Sequence, residues 1–161
     1  MKSAAELAAE QAAFWNGPGG QGWLAAYQRI QRSLVDINRA VLAFAEARPG
    51  ERLIDVGCGT GETTAALAAA VGASGHVLGL DISEPLIEAA RAKAAANSSF
   101  VVGDATTHPF EAGACDLVFS RFGVMFFAEP VAALQHLRGR LKPGGRCVFV
   151  CWRAPRDNPW A

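Results

Sequence analysis

The sequence predicts an α/β protein built as a doubly wound parallel sheet, and two observations carry that prediction. Beyond Arg48-Pro49-Gly50, short apolar runs alternate with helical stretches, and a glycine-rich segment sits where the first run gives way to a helix. Strands that alternate with helices need right-handed crossovers, which cover both faces of a parallel sheet. In such folds ligands sit outside the carboxyl ends of the strands.

Five runs read as strands in chain order: RLIDVG from Arg52, HVLGLD from His76, SFVVGD from Ser99, CDLVFSR from Cys115 and RCVFVCW from Arg146. Helices are expected between them near residues 61–71, 84–95 and 130–141. Ahead of the sheet, the first fourteen residues read as a helix that stops at the breaker cluster Asn16, Gly17, Pro18, Gly19, Gly20. A second helical stretch runs from Trp23 to about Ala47, with Leu24, Tyr27, Ile30, Leu34, Ile37, Val41 and Phe44 as its apolar stripe. The expected plan is therefore a helical lid segment over residues 1–47 and an α/β domain over residues 48–161.

With 161 residues the chain can bury one sizeable core but not two. Hydrophobic residues make up 51% and charged residues 19%, a balance that suits a packed domain. Fifteen basic residues match fifteen acidic ones, so no global field draws in nucleic acid or an anionic membrane, and a small-molecule partner is expected. No apolar run has membrane-spanning length, and the N-terminal segment has early acids instead of the apolar core of a secretion signal. Cys58, Cys115, Cys147 and Cys151 form no CxxC pair, which points to a reduced, cytoplasmic protein without a metal site.

The segment that carries chemistry is Asp55-Val56-Gly57-Cys58-Gly59-Thr60-Gly61. Glycines at alternate positions let the backbone turn sharply and let a ligand approach main-chain atoms. The helix that follows, with Thr60 as its expected N-cap, offers N–H groups and partial positive charge to a carboxylate. A dinucleotide fingerprint starting at Gly57 requires a third glycine at position 62, where this chain has Glu62, and this disfavours a nicotinamide dehydrogenase. Asp81, 24 positions beyond Gly57 at the tip of the second strand, can accept hydrogen bonds from both hydroxyls of a ribose. Its bland alternative is a cap for the helix that opens at Ser83-Glu84-Pro85.

These residues, with Gly103-Asp104-Ala105 after the third strand, the Cys115–Phe127 segment and the turn Leu141-Lys142-Pro143-Gly144-Gly145, resemble the class I S-adenosylmethionine-dependent methyltransferases in the expected order. The resemblance covers about residues 50–152. It implies a Rossmann-like methyltransferase fold with S-adenosylmethionine as cofactor and a small-molecule methyl acceptor, in the quinone-type branch. It further implies that Asp55, Gly57, Cys58, Gly59 and Gly61 form the loop around the methionine part, that Asp81 holds the ribose, and that Ile82 covers the adenine. Gly103, Asp104 and Ala105 would meet the adenine edge, Ser120 or Arg121 at the carboxyl end of the fourth strand would lie by the methionine amino group, and Phe122 would belong to an apolar rim beside it. Trp15, Asn16, Gly17, Trp23 and Tyr27 are placed as a lid over the cleft.

No catalytic residue is named by the sequence; His108 is the only histidine considered for a base, and a surface or capping role is expected for it. A catalytically silent module that only holds the cofactor or its product is the alternative reading. The family has seven strands, the last two forming a hairpin, whereas five are read here before Trp160-Ala161. A missing C-terminal hairpin would leave the fifth strand as an exposed edge, and a homodimer through that edge is expected.

Overall fold

The structure, a computed structural model, describes residues 2–158. Four helices precede the sheet: α1 (Ala4–Asn16), α2 (Pro18–Ala25), α3 (Tyr27–Ser33) and α4 (Val35–Ala45). Then β1 (Arg52–Val56), α5 (Glu62–Val71), β2 (His76–Asp81), α6 (Glu84–Arg91), β3 (Ser98–Val102), β4 (Cys115–Arg121), α7 (Pro130–Arg138) and β5 (Leu141–Val150) follow. All five expected strands form, every pairing is parallel, and their spatial order is β3-β2-β1-β4-β5. The chain enters at the centre, winds outward to β3 and returns past β1 to β4, so β1 and β4 flank the point where the winding reverses. Carboxyl ends of parallel strands open a crevice there.

Side chains alternate across the strands and supply two layers of core. Leu53, Leu117 and Phe119 pack with Val41, Ala45, Leu67 and Val71 on the face covered by α4 and α5. Ile54, Val56, Leu80 and Val118 pack with Phe110 and Leu137 on the other. A smaller group of Cys58, Ile87, Ala90 and Phe100 seals the α6 side.

The N-terminal helices depart from the expected plan in three ways. Helix α1 is opened by a capping box between Ser3 and Glu6 and ends at Asn16 as expected, but Pro18, Gly19 and Gly20 start α2 instead of remaining loop. Proline is well suited to the first helical turn, where an N–H has no partner to lose. The long second stretch is broken at Ala26 and Leu34, both with ψ near zero (3° and 2°), into α2, α3 and α4. The break at Leu34 resets the helical phase: Val41 and Ala45, one turn apart, face the sheet, and Phe44 is left 76% exposed. Leu34 and Val41 are buried as expected.

At the other end, Leu141 pairs with Cys115 and Arg146 with Leu117, so residues 142–145 bulge out of a strand that begins earlier than expected. Gly144, at φ 80°, supplies the left-handed residue that the bulge needs. Just beyond it, the Arg146 guanidinium donates to the carbonyls of Ala45 and Glu46 and to the Glu51 carboxylate, which it holds below the usual carboxylate range. This fork fixes the end of α4 onto the sheet, a long-range bond with no local sequence signature. Among the described residues, β5 is an edge of the sheet and residues 151–158 carry a short 3₁₀ turn, Pro155–Asp157, and no strand.

Phe119 is fully buried in the middle of β4 and touches elements from both ends of the chain through its cluster. Phe119→Ala should lower unfolding free energy by roughly 3–5 kcal/mol in urea titrations, through lost burial and a residual cavity.

Candidate functional site

The parallel register sets the carboxyl ends of β1 and β2 level, with Val56 opposite Leu80. Gly57 and Cys58 both donate their backbone N–H to the Leu80 carbonyl, at 2.8 and 3.2 Å, so the turn leaves the strand while still tied to its neighbour. Gly57 sits at φ 68°, and a Cβ there would lie 2.7 Å from the Gly123 Cα; both the turn and the close approach require glycine. Gly59, at φ 55°, faces open space, since a Cβ would meet only Trp23 Nε1 at 3.9 Å.

Asp81 closes this loop from the next strand. Its Oδ2 accepts the Gly59 N–H and its Oδ1 the Ser83 N–H, each at 2.9 Å. The carboxylate therefore braces two loops, and it is not the side-chain cap of α6, whose N-cap Ser83 makes no such bond. Burial pushes its pKa up despite these bonds. Each oxygen keeps acceptor capacity for a further donor.

Over these ends lies a cavity of about 650 Å³. Nine of the twelve expected site residues line it: Gly57, Cys58, Gly59, Asp81, Ile82, Gly103, Asp104, Ala105 and Phe122. Asp104 Oδ1 accepts the Thr106 N–H at 2.8 Å, which fixes the turn that presents Ala105. Phe122 holds a left-handed φ of 65°, unusual for a bulky residue, and stacks on Trp152 with ring centres 4.5 Å apart and planes 3° from parallel. Cys58 is a packed, buried thiol whose pKa burial raises.

Three expected residues stand behind the wall instead. Ser120 donates to the Val56 carbonyl at 2.7 Å and accepts from the Gly123 and Val124 N–H groups, so it shapes the β4 loop from within. Gly61 (φ 85°) is packed against Phe100 and is itself the N-cap of α5. Thr60, expected in that capping role, donates to Glu62 at 2.6 Å. Asp55 is fully buried; Oδ2 accepts the hydroxyls of Thr63 and Thr64, both at 2.7 Å, while Oδ1 has no partner among the described residues.

The N-terminal helices roof the cavity. Ala4, Ala8, Gln11 and Trp15, spaced by four, three and four, present one face of α1, with Trp23 beside them. Asn16 clips the roof to the β2–α6 loop: Nδ2 donates to the Ile82 carbonyl and Oδ1 accepts the Glu84 N–H, both at 2.9 Å. Ser83 Oγ adds a bond to the Trp15 carbonyl at 2.7 Å. A second clip gathers Tyr27 and Gln31 of α3 and Lys93 on Glu62, the residue that departs from the dinucleotide pattern. Of the five residues expected as a lid, Trp15 and Trp23 line the cavity, and Asn16, Gly17 and Tyr27 do not. Arg121, expected with Ser120 at the carboxyl end of the fourth strand, lines the cavity as well; Gln11 also lines it and was not placed there by sequence, although the helical spacing from Ala4 to Trp15 was an available signal.

No histidine lines the cavity among the described residues. His108 packs edge-on against Phe110, His136 meets the His108 carbonyl at 2.9 Å, and His76 meets Ser99 Oγ at 2.9 Å.

The cavity suits an adenosyl ligand on its own geometry: a glycine surface that any side chain at position 59 would fill, and a carboxylate with spare acceptors beside it. Residues 54–149 match the methyltransferase domain family. The chain belongs to this family. As a methyltransferase-domain chain it is 42% identical over 114 residues to a demethylmenaquinone methyltransferase of Staphylococcus aureus (strain MRSA252), which covers 70% of the chain and 47% of that protein. The chain thus spans about half the length of the curated relatives it matches. Its fold is similar to that of a SAM-dependent methyltransferase from Aquifex aeolicus, with TM-score 0.67 and 24% identity over 72% of this chain and 64% of that one. An S-adenosylmethionine-dependent methyltransferase from Mesorhizobium loti gives TM-score 0.63 and 28% identity over 69% and 50%.

Burial pushes the Asp55 carboxyl up to about 6, against the pull of Thr64, Thr63 and Arg121. An acid whose folded pKa lies above its unfolded value costs stability once ionised; the cost is absent below about pH 4 and complete above about pH 6. Relative to Asp55→Asn, the methyltransferase domain should therefore lose about 3 kcal/mol of stability as pH rises through this window. Urea titrations at a series of pH values check this, and parallel curves for the two proteins would contradict it.

Proposed function

We propose that the chain binds S-adenosylmethionine and serves methyl transfer to a small-molecule acceptor of the quinone type. The observation that carries the reading is the Asp81 carboxylate, level with Gly59 at the cavity floor and with acceptor capacity on both oxygens. A ribose offers two adjacent hydroxyl donors to such a carboxylate. Ile82 and Leu86 supply apolar cover beside it, and Asp104 with Ala105 offers an acceptor and a backbone edge to a base.

The bound cofactor supplies an electrophilic methyl group on a sulfonium cation. The chain's own contribution is to orient and to exclude water. Trp15, Trp23, Phe122 and Phe126 make the roof and rim apolar, and the two clips at Asn16 and Glu62 hold the roof down. Positioning in a dry site can supply much of the barrier reduction for a displacement that needs in-line approach. The acids Asp81 and Asp104 favour a cation nearby, and that attraction fades when the charge is lost on transfer. The similarity to a demethylmenaquinone methyltransferase supports the quinone-type acceptor.

Calorimetric titration with S-adenosylmethionine and S-adenosylhomocysteine tests the reading. Both should bind, and Asp81→Ala should weaken both by roughly tenfold to a hundredfold while the far-ultraviolet circular dichroism stays unchanged. Folded protein that takes up neither ligand at millimolar concentration would refute it.

A further inference from the structure

Helix α1 breaks its own apolar pattern on the face that lines the cavity. Ala4, Ala8 and Gln11 stand there about a turn apart, and Trp15 follows. A roof that only excluded water would be apolar along this stripe, yet Gln11 puts an amide in it. Its Oε1 is shut off from solvent and meets no donor among the described residues. A buried carbonyl without a hydrogen bond costs stability, and an apolar side chain of similar shape would not. An orphan of this kind calls for a partner that the chain itself does not supply.

The surroundings say what shape that partner has. A second wall of small residues, Ala128, Ala132 and Ala133, comes into the same cavity from the start of α7 and the loop before it. Trp15 meets Phe126 edge-on, with ring centres 5.4 Å apart, and so joins the α1 wall to that loop. Methyl groups on both walls leave room for a flat body, and the Trp15–Phe126 pair gives it aromatic company. Met125 and Phe126 line the cavity and are each 41% exposed, so the apolar wall runs out to the surface and offers a way in. None of these residues is claimed by the donor, which takes the Gly57–Gly59 loop, Asp81, Ile82 and the Asp104 turn. A hydroxyl on a flat ring is the donor that an amide oxygen needs. The terminal torsion of glutamine is broad, so the amide can turn to an occupant without moving the helix.

Resting on the proposed donor site and acceptor class, we propose that α1 and the start of α7 form the acceptor subsite. Gln11 is its specificity-determining residue and takes a hydrogen bond from a hydroxyl on an aromatic acceptor ring. Recognition is thereby divided: the strand ends hold the donor, and the two alanine walls hold the acceptor. A ring without a hydroxyl fills the same slot and gains nothing from Gln11.

The test uses 1-naphthol and 1-methylnaphthalene, which have nearly the same shape and differ in the hydroxyl. Binding of each to the whole chain is measured by equilibrium dialysis, with and without S-adenosylhomocysteine. Gln11→Met should weaken 1-naphthol by roughly 3- to 10-fold and leave 1-methylnaphthalene within about twofold. Methionine keeps the length and the helix preference, so this variant should unfold at an equal or higher urea concentration than wild type, the opposite of what loss of a structural amide does. Gln11→Glu, which keeps an acceptor oxygen, should retain the preference for 1-naphthol. Ala8→Leu fills the slot and should weaken both rings by about tenfold or more, while S-adenosylhomocysteine stays within about threefold and reports an intact fold. Equal loss of both rings in Gln11→Met, loss of neither, or a less stable Gln11→Met overturns the role of Gln11. A wild-type chain that takes up neither ring, or an Ala8→Leu variant that binds both as well as wild type, overturns the subsite. If wild type ignores S-adenosylhomocysteine, the donor reading falls, and the dialyses made without that ligand still decide the subsite.

Discussion

The arrangement depends on one carboxylate that holds two loops at once. Because β1 and β2 run parallel and in register, Asp81 sits level with the glycine turn and can take the Gly59 and Ser83 N–H groups together. That brace joins the loop after β1 to the loop after β2 beyond the point where the Gly57 and Cys58 bonds to the Leu80 carbonyl already tie the turn to its neighbour. The brace in turn fixes where the roof can attach, since Asn16 and Ser83 dock α1 on the same β2–α6 loop.

The rest of the site is built by satisfying or withholding hydrogen bonds near that brace. Gly57 must be glycine because Gly123 crosses it, and Ser120 spends its hydroxyl shaping the segment that brings Gly123 there. Asp55 is the opposite case, a buried acid with one oxygen unsatisfied, and its raised pKa is the energetic trace of that position. Strain is stored at Phe122, whose left-handed backbone is held by a stack on Trp152 and a backbone bond to the Val150 carbonyl. Stored strain of this kind is worth about 1–3 kcal/mol and persists only where the surroundings over-determine it.

Much of this was legible in the sequence, for physical reasons. Central strands of a parallel sheet are buried on both faces, so LVF reads as a continuous apolar run and LIDV as one broken only by Asp55, and glycine turns at their ends are local signals. The position of Asp81 followed from the strand length alone. What could not be read was anything set by long-range contact or by helix phase. Ala26 and Leu34 are good helix residues, and the breaks there come from wrapping α2 to α4 around the sheet; Phe44 was misplaced as a consequence. Asp55 and Ser120 carry polar groups near strand ends, and only the structure shows that Asp55 Oδ2 and the Ser120 hydroxyl have internal partners. The bonds of Arg146 and Arg121 were illegible because their partners are remote in the chain, with separations of 101 residues to Ala45 and 83 to Asn38.

The central claim is that the level ends of β2, β1 and β4 form a single receptor for an adenosyl ligand. Its most direct measurement is a crystal structure of the chain with S-adenosylhomocysteine. The account predicts density for the ribose hydroxyls within hydrogen-bonding distance of Asp81, with the ligand chain lying over Gly57–Gly59. Density for the ligand elsewhere on the molecule, or an adenosyl group turned with its sugar away from Asp81, would contradict it.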